Sequence, residues 1–181
     1  MEPQLGVEMN WRLSRGVKPD KCIGCPRFAR GVGFCPPDGP EDANIVAVGK
    51  GPGPVEGRLG RPYTGGAGRL LDNLLIRAGL SRQKLVLTNL VKCAGPDPTG
   101  VEIEFCMNQY FADEIAHIKG LIAEGKPACL VAIGGPPAKV LGGVDKIKHE
   151  RGTIRNFLGI PVVLTLEPAG LLWSKGEAKN T

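Results

Sequence analysis

Several features that would place a protein in a membrane or secreted class are missing from this 181-residue sequence. No run approaches the ~18 consecutive apolar residues of a transmembrane helix. The opening stretch, MEPQLGVEMNWRLSRG, has no apolar core of the kind found in secretory signals. Internal repeats and low-complexity segments are also missing. These absences predict a cytoplasmic, monomeric globular protein with no membrane partner.

Charge and cysteine content narrow the class further. The formal net charge of +5 mildly favours a polyanionic partner such as nucleic acid. Six cysteines without a secretory signal argue against a disulfide framework, so metal binding or catalysis is the better interpretation.

Short apolar strands alternate with helical patterns along the chain. Strands are predicted at 43–49, 84–91, 128–134 and 161–166, and helices at 66–79, 101–125 and 136–142. The helix at 66–79 is amphipathic, with Leu70, Leu71, Leu74, Leu75 and Ala78 on one face. This alternation predicts an α/β fold, a parallel sheet covered by helices on both faces, with the ligand site at the carboxyl ends of the strands. One domain is expected at 22–175, after a lead-in at 1–21 and before a tail at 176–181.

Four cysteines have the spacing C-x2-C, then a long gap, then C-x12-C. They are Cys22, Cys25, Cys93 and Cys106. A C-x2-C pair brings two thiolates together and can hold one metal ion or cluster, with zinc and iron–sulfur both possible from spacing. The alternatives are a redox motif for the first pair and buried apolar thiols for the second. Cys35 and Cys129 are interpreted as bystanders.

The loop after the first strand, VGKGPGPVEG, contains a lysine where an active-site loop is expected. The loop matches neither GxxxxGK[ST] nor GxGxxG. Pro52 and Pro54 also remove backbone N–H donors that a phosphate cradle needs. A nucleotide-binding loop is therefore excluded.

Several motifs together resemble those of a known family. CIGC, GKGPG, GRPYTGGAGRLL, LTNLVKC and EPAGLL occur in the order found in the iron–sulfur uracil-DNA glycosylases of the family 4 and 5 type. The resemblance covers residues 22 to 172. It implies a three-layer α/β/α sandwich around a four-stranded parallel sheet, DNA as partner, and base excision repair as function. It also implies a structural 4Fe-4S cluster on Cys22, Cys25, Cys93 and Cys106, with zinc as the alternative.

The resemblance also implies a pocket for a flipped base. Tyr63 matches the aromatic residue that stacks on the base, and Asn89 matches the amide that reads its Watson–Crick edge, which suits the donor and acceptor of uracil. The further base-binding residues are Gly49, Gly51, Pro52 and Gly53. Leu171 and Leu172 match the loop that wedges into DNA. From their charge alone, Lys146, Lys148 and Arg151 are candidate phosphate contacts, and a solvated hairpin is the alternative.

Two positions depart from the family pattern. Lys50 stands where the family has an acidic residue, and Glu167 stands where it has a histidine. Excision develops positive charge on the sugar and negative charge on the leaving base, so both changes oppose the usual electrostatics. Three hypotheses follow: a Lys50–Glu167 ion pair with exchanged roles, Lys50 as a Schiff-base nucleophile, or Glu56 as replacement carboxylate. The alternative is a DNA-binding relative that has lost catalysis.

Overall fold

The computed structural model describes residues 15–170, and in them five strands form one sheet. The strand order is β2-β1-β3-β5-β4, with β1, β2, β3 and β5 parallel and β4 antiparallel to β5. The strands are β1 (Ile45–Gly49), β2 (Val86–Asn89), β3 (Cys129–Ile133), β4 (Ile154–Phe157) and β5 (Ile160–Thr165). The four predicted parallel strands are all present, and the α/β class is confirmed.

The fifth strand was not predicted. β4 forms a hairpin with β5 through Leu158 and Gly159, which both have positive φ, 53° and 87°. Two central residues with positive φ define the tight turn that matches the twist of a hairpin. β4 lies at the sheet edge and alternates exposed and half-buried residues, so it lacks the apolar run that marked the other strands.

Helices cover both faces of the sheet. Within residues 15–170 they are α1 (Pro54–Leu59), α2 (Gly66–Arg77), α3 (Gly100–Ala123), α4 (Gly135–Gly142) and α5 (Ile147–Glu150). Side chains of α3 and α4 pack with Val46 and Val48 of β1, whereas Leu71 of α2 packs with Ala47, which points to the opposite face. The three-layer arrangement is therefore confirmed, around five strands instead of four.

Local sequence explains where the principal helices begin. Thr99 and Glu102 form a capping box at the start of α3: the Thr99 N–H donates to Glu102 Oε2 (2.8 Å), and the Glu102 N–H donates to Thr99 Oγ1 (3.4 Å). In α2 the predicted apolar face is only partly buried, because Leu71 is buried but Leu74 is 38% exposed.

None of the helices in residues 15–170 has the length and apolar character needed to cross a membrane.

Candidate active site

A cavity of about 240 Å³ opens at the carboxyl edge of the sheet, where β1 and β2 end. It is smaller than the ~300–1,000 Å³ of pockets for drug-sized ligands, which suits a ligand of a single ring. The lining residues come from the loop after β1, from α1, from the α1–α2 loop and the start of α2, from the end of β2 and from the segment after β5. They are Lys50, Gly51, Pro52, Gly53, Glu56, Tyr63, Ala67, Asn89, Glu167 and Ala169.

Asn89 is held at the inner wall of this cavity. It ends β2, is paired with Gly49 of β1, and is 3% exposed. A Cβ atom added to Gly49 would lie 2.6 Å from Asn89 Oδ1 and would collide with the Tyr63 hydroxyl. Gly49 does not line the cavity itself, unlike the other predicted base-binding residues. Its missing side chain allows the amide and the tyrosine to approach the backbone of β1.

Tyr63 occupies an unusual backbone position beside Asn89. Its φ is 53°, in the left-handed region that non-glycine residues rarely adopt. Arg82 donates to the Tyr63 carbonyl, and a Cβ atom on Gly68 would collide with the same carbonyl, so α2 lies directly against this turn. Burial raises the pKa of Tyr63 well above its ordinary value, and the charges of Glu167 and Glu56 act in the same direction.

Lys50 pairs with Asp97 instead of Glu167. The distance from Lys50 Nζ to Asp97 Oδ1 is 2.5 Å, and the two side chains are 41% and 88% exposed. The hydrogen bond from Lys50 lowers the pKa of Asp97. The structure therefore contradicts the hypothesis of a Lys50–Glu167 ion pair. The reason is that the loop between β2 and α3 brings Asp97, which sequence reasoning missed, to the cavity mouth.

Glu167 follows β5 and lines the same cavity as Lys50. Burial raises the pKa of Glu167, and the Ala169 backbone N–H and the Lys50 charge partly offset that rise. A carboxyl group with a raised pKa keeps its proton to higher pH and can then donate a hydrogen bond.

Glu56 is a buried carboxylate at the cavity wall. Its Oε1 accepts a 2.7 Å hydrogen bond from the N–H of Gly65, the residue that precedes α2. A Cβ atom on Gly53 would lie 2.7 Å from Glu56 Oε2, so the loop after β1 also lies close to this carboxylate. The acid is thus fixed between the two loops that form the cavity.

A second, smaller cavity is lined by the four predicted thiols. Cys22 and Cys25 come from the segment before β1, Cys93 follows β2, and Cys106 lies on α3. The Tyr110 hydroxyl lies 3.0 Å from Cys22 Sγ. Burial raises the pKa of Cys22 and Cys93, and raises that of Cys106 to about 12. The chain therefore brings together residues that are far apart in sequence.

Two cations lie beside these thiols. Arg27 is 2% exposed and partly offsets the effect of burial on the Cys93 pKa, and Lys18 does the same more weakly. Arg27 also contacts Glu102, and its Nε has no hydrogen-bond partner within residues 15–170. Four thiols with adjacent cations suit a group that binds thiolates. Within residues 15–170 the four thiols line one cavity, but no three His, Cys, Asp or Glu side chains are close enough to share a single metal ion.

A buried polar network joins the end of β2 to the middle of α3, and sequence reasoning missed it. Lys92 is 1% exposed, and its ammonium donates to Glu114 Oε1 (2.8 Å), Thr88 Oγ1 (2.5 Å) and the Asn89 carbonyl (2.9 Å). Its signal in the sequence LTNLVKC is a lysine that lies between the apolar pair Leu90–Val91 and the predicted thiol ligand Cys93.

The predicted DNA-contacting residues are distributed over two segments. Lys146, Lys148 and Arg151 are exposed, and they lie on or next to α5 instead of in a simple hairpin loop. Leu171 and Leu172 lie outside the described residues. A larger cavity of about 630 Å³, between α3 and α4, contains none of the predicted site residues.

The fold and the two sites define a class: an α/β protein with a ring-sized pocket at the carboxyl edge of its sheet and a four-thiol site beside it. The model of the Uracil DNA glycosylase superfamily matches residues 36–181. The chain belongs to this superfamily.

Curated relatives agree over most of the chain. A type-4 uracil-DNA glycosylase from Thermotoga maritima is 34% identical over 160 residues, covering 80% of this chain and 82% of the relative. One from Pyrobaculum aerophilum is 33% identical, covering 83% of this chain and 79% of the relative. One from Saccharolobus solfataricus is 30% identical, covering 85% of this chain and 74% of the relative. The resemblance seen in the motifs is confirmed.

Proposed function

We propose that this protein is a DNA repair glycosylase that excises uracil from DNA. The observation that carries the proposal is the single cavity shared by Tyr63, Asn89 and two carboxyl groups in a chain of this superfamily. Excision breaks the bond between C1′ and uracil N1. The bond electrons leave with the base, and water attacks C1′ to give free uracil and an abasic site.

Base recognition is assigned to Asn89 and Tyr63. An amide offers one donor and one acceptor, which complement a ring N–H and a carbonyl of uracil. An aromatic face stabilises an unstacked base by ~1–3 kcal/mol. Both side chains are buried at the cavity wall, so they are ordered before a base enters.

Bond cleavage is assigned to two acidic side chains with different roles. Glu56, fixed by the Gly65 N–H, serves as the carboxylate that stabilises positive charge on the sugar. Glu167, with a pKa raised by burial, serves in its neutral form as a donor to the leaving uracil oxygen. Groups that stabilise developing charge in this way contribute ~3–4 kcal/mol each.

Lys50 is assigned no covalent role. A lysine nucleophile must lose its proton, and lysines that do so are desolvated. The Lys50 amine is ion paired with Asp97 and 41% exposed, so it is not desolvated in this way. Its positive charge opposes charge development on the sugar, so we propose a slow glycosylase that works by the monofunctional route.

The four thiols are proposed to hold a 4Fe-4S cluster, as the resemblance implies. Support comes from their convergence on one cavity and from the neighbouring cations Arg27 and Lys18. When bound, the cluster supplies structural cross-linking between loops and takes no part in base removal. Broad absorbance near ~400 nm would distinguish it from zinc, which has no such band.

Uracil-containing single- and double-stranded oligonucleotides test the proposed activity. Purified protein should release uracil without a borohydride-trapped adduct. A trapped adduct that is lost in Lys50→Ala would instead support the Schiff-base route. A second candidate function is that of a catalytically silent DNA-binding relative. The observations that favour it are the lysine at position 50 and the glutamate at position 167. Binding without release from uracil, hypoxanthine or xanthine substrates would establish that candidate.

A further inference from the structure

We propose that Lys92, together with Glu114, is a positioning residue that holds Asn89 in its base-reading orientation. The inference deepens the proposed function and rests on it. It starts from a buried ion pair that has no part in bond cleavage and does not line the base cavity.

The Asn89–Leu90 peptide group is held from both sides. Its carbonyl accepts a 2.9 Å hydrogen bond from Lys92 Nζ, and its N–H donates a 2.8 Å hydrogen bond to the Gly49 carbonyl. Rotation of this peptide would require both bonds to break. The orientation of the Asn89 backbone, and hence the direction of its side chain, is therefore fixed at the end of β2.

The ammonium that makes this contact is itself fixed. Besides the Asn89 carbonyl, it donates to Thr88 Oγ1 (2.5 Å) and Glu114 Oε1 (2.8 Å), so all three of its protons have acceptors. Thr88 in turn donates to Glu114 Oε1 at 2.7 Å. Lys92 and Glu114 are both 1% exposed, so water does not compete for these bonds.

Glu114 connects this network to the helix that carries a thiol ligand. It lies on α3, two turns after Cys106. The Lys92 backbone also contacts the Cys106 thiol, accepts a 2.7 Å hydrogen bond from the Cys35 N–H, and precedes Cys93. The network thus lies between the base cavity and the thiol cavity. A lysine is suited to this place because its long apolar stem crosses the core and its charged end reaches three acceptors.

Removing one member alone is a poor test, because it leaves an unpaired buried charge that can prevent folding. The principal variant is therefore Lys92→Met/Glu114→Gln, which is neutral and similar in volume. The matched control is Ile118→Ala on the same helix. Ile118 is fully buried, so its loss destabilises the protein without touching Asn89.

The decisive measurement is a double-mutant cycle on single-turnover uracil excision. Displacement of a substrate-contacting group by about 1 Å costs up to ~10²-fold in rate. We expect the paired variant to lower the single-turnover rate constant by roughly this factor in the wild-type background, and by less than about threefold in an Asn89→Ala background, because residues that act through one another are not additive. Ile118→Ala should give equal losses in both backgrounds. Equal losses for the paired variant would overturn the inference.

A crystal structure of the paired variant separates this inference from the proposed function. If wild-type protein releases no uracil, the proposed function fails. The position of the Asn89 amide in the crystal structure then decides whether Lys92 and Glu114 have a positioning role. A displaced or rotated amide beside an unchanged Gly49 supports the positioning role. An unmoved amide refutes it, whatever the activity.

Discussion

Replacing Lys50 by glutamate should accelerate uracil excision. The substitution removes a cation from the cavity wall and places a carboxylate where the family pattern has one. Lys50 lines the cavity, and its only ion-pair partner in residues 15–170 is the exposed Asp97. An exposed pair of this kind contributes only ~0–1 kcal/mol, so folding stability should change little.

The size of the acceleration follows from Coulomb's law. A unit charge about 7 Å from C1′, at an effective dielectric constant between about 20 and 80, changes the energy of a full positive charge there by roughly 0.6–2.4 kcal/mol. Lys50→Glu changes the charge by two units, which gives roughly 1–5 kcal/mol, or about 10- to 10³-fold in rate. Lys50→Met changes it by one unit and should give about half of this free energy.

The assay is single-turnover release of uracil from an oligonucleotide with enzyme in excess. Lys126→Glu is the matched control, because it makes the same change in net charge at an exposed residue just before the amino end of β3, at the opposite edge of the sheet. Loss of excision in Lys50→Met would refute the reasoning, since a group that only opposes the reaction cannot be required for it.

Four further predictions concern other parts of the two sites. Excision by the wild type should decline as pH rises through the raised pKa of Glu167, because only the protonated acid donates, and Glu167→Gln should flatten this limb of the pH–rate profile. Glu102→Gln should lower the free energy of unfolding by ~1–3 kcal/mol in thermal unfolding, because it weakens the ion pair with Arg27, which is only 2% exposed. Tyr63→Phe should retain excision, whereas Tyr63→Ala should weaken binding of uracil-containing single strands by ~1–3 kcal/mol through lost stacking. Cys106→Ser should lose the absorbance near ~400 nm, and Cys35→Ser, which changes another buried thiol outside the four, should keep it.

The parallel strands were predictable because each is a short apolar run, and the two at one side of the sheet are buried on both faces. β1 and β2 are the clearest examples, with Val46, Val48, Val86 and Leu87 all 1% exposed or less. β4 was missed for the opposite reason, since an edge strand with one solvated face carries no such run. The feature that defines the hairpin is the turn at Leu158–Gly159. Its positive φ angles are a property of the structure and cannot be read from the sequence.

The candidate pocket could be predicted only as a set of residues. The rule that ligands bind at the carboxyl ends of parallel strands placed Lys50, Asn89 and Glu167 at one edge, and the structure brings them to one cavity. The partner of Lys50 could not be predicted, because Asp97 comes from an irregular loop between β2 and α3 whose course has no periodicity to read. Charges in such loops are placed by the backbone path and not by a local pattern.

Buried polar networks were the other feature that the sequence did not reveal. Lys92 and Glu114 are 22 residues apart, and each looks like an ordinary charged residue of a helix or strand end. Each of these charged side chains can be buried only because the other is buried beside it. A single buried charge without a partner would cost several kcal/mol. Pairs of this kind depend on tertiary structure and are detectable only after the elements have been docked.

The two sets of residues in the base cavity differ in how firmly the fold holds them. Asn89 belongs to a strand, where it is paired with Gly49, and its carbonyl accepts a hydrogen bond from a lysine in the core. Lys50 and Glu167 lie in the segments that follow strands, are half-buried, and can change without disturbing the sheet. If the proposed roles hold, we expect base reading by Asn89 to be separable from cleavage of the bond. We expect substitutions at positions 50 and 167 to change the rate of excision more than the preference for uracil over other bases.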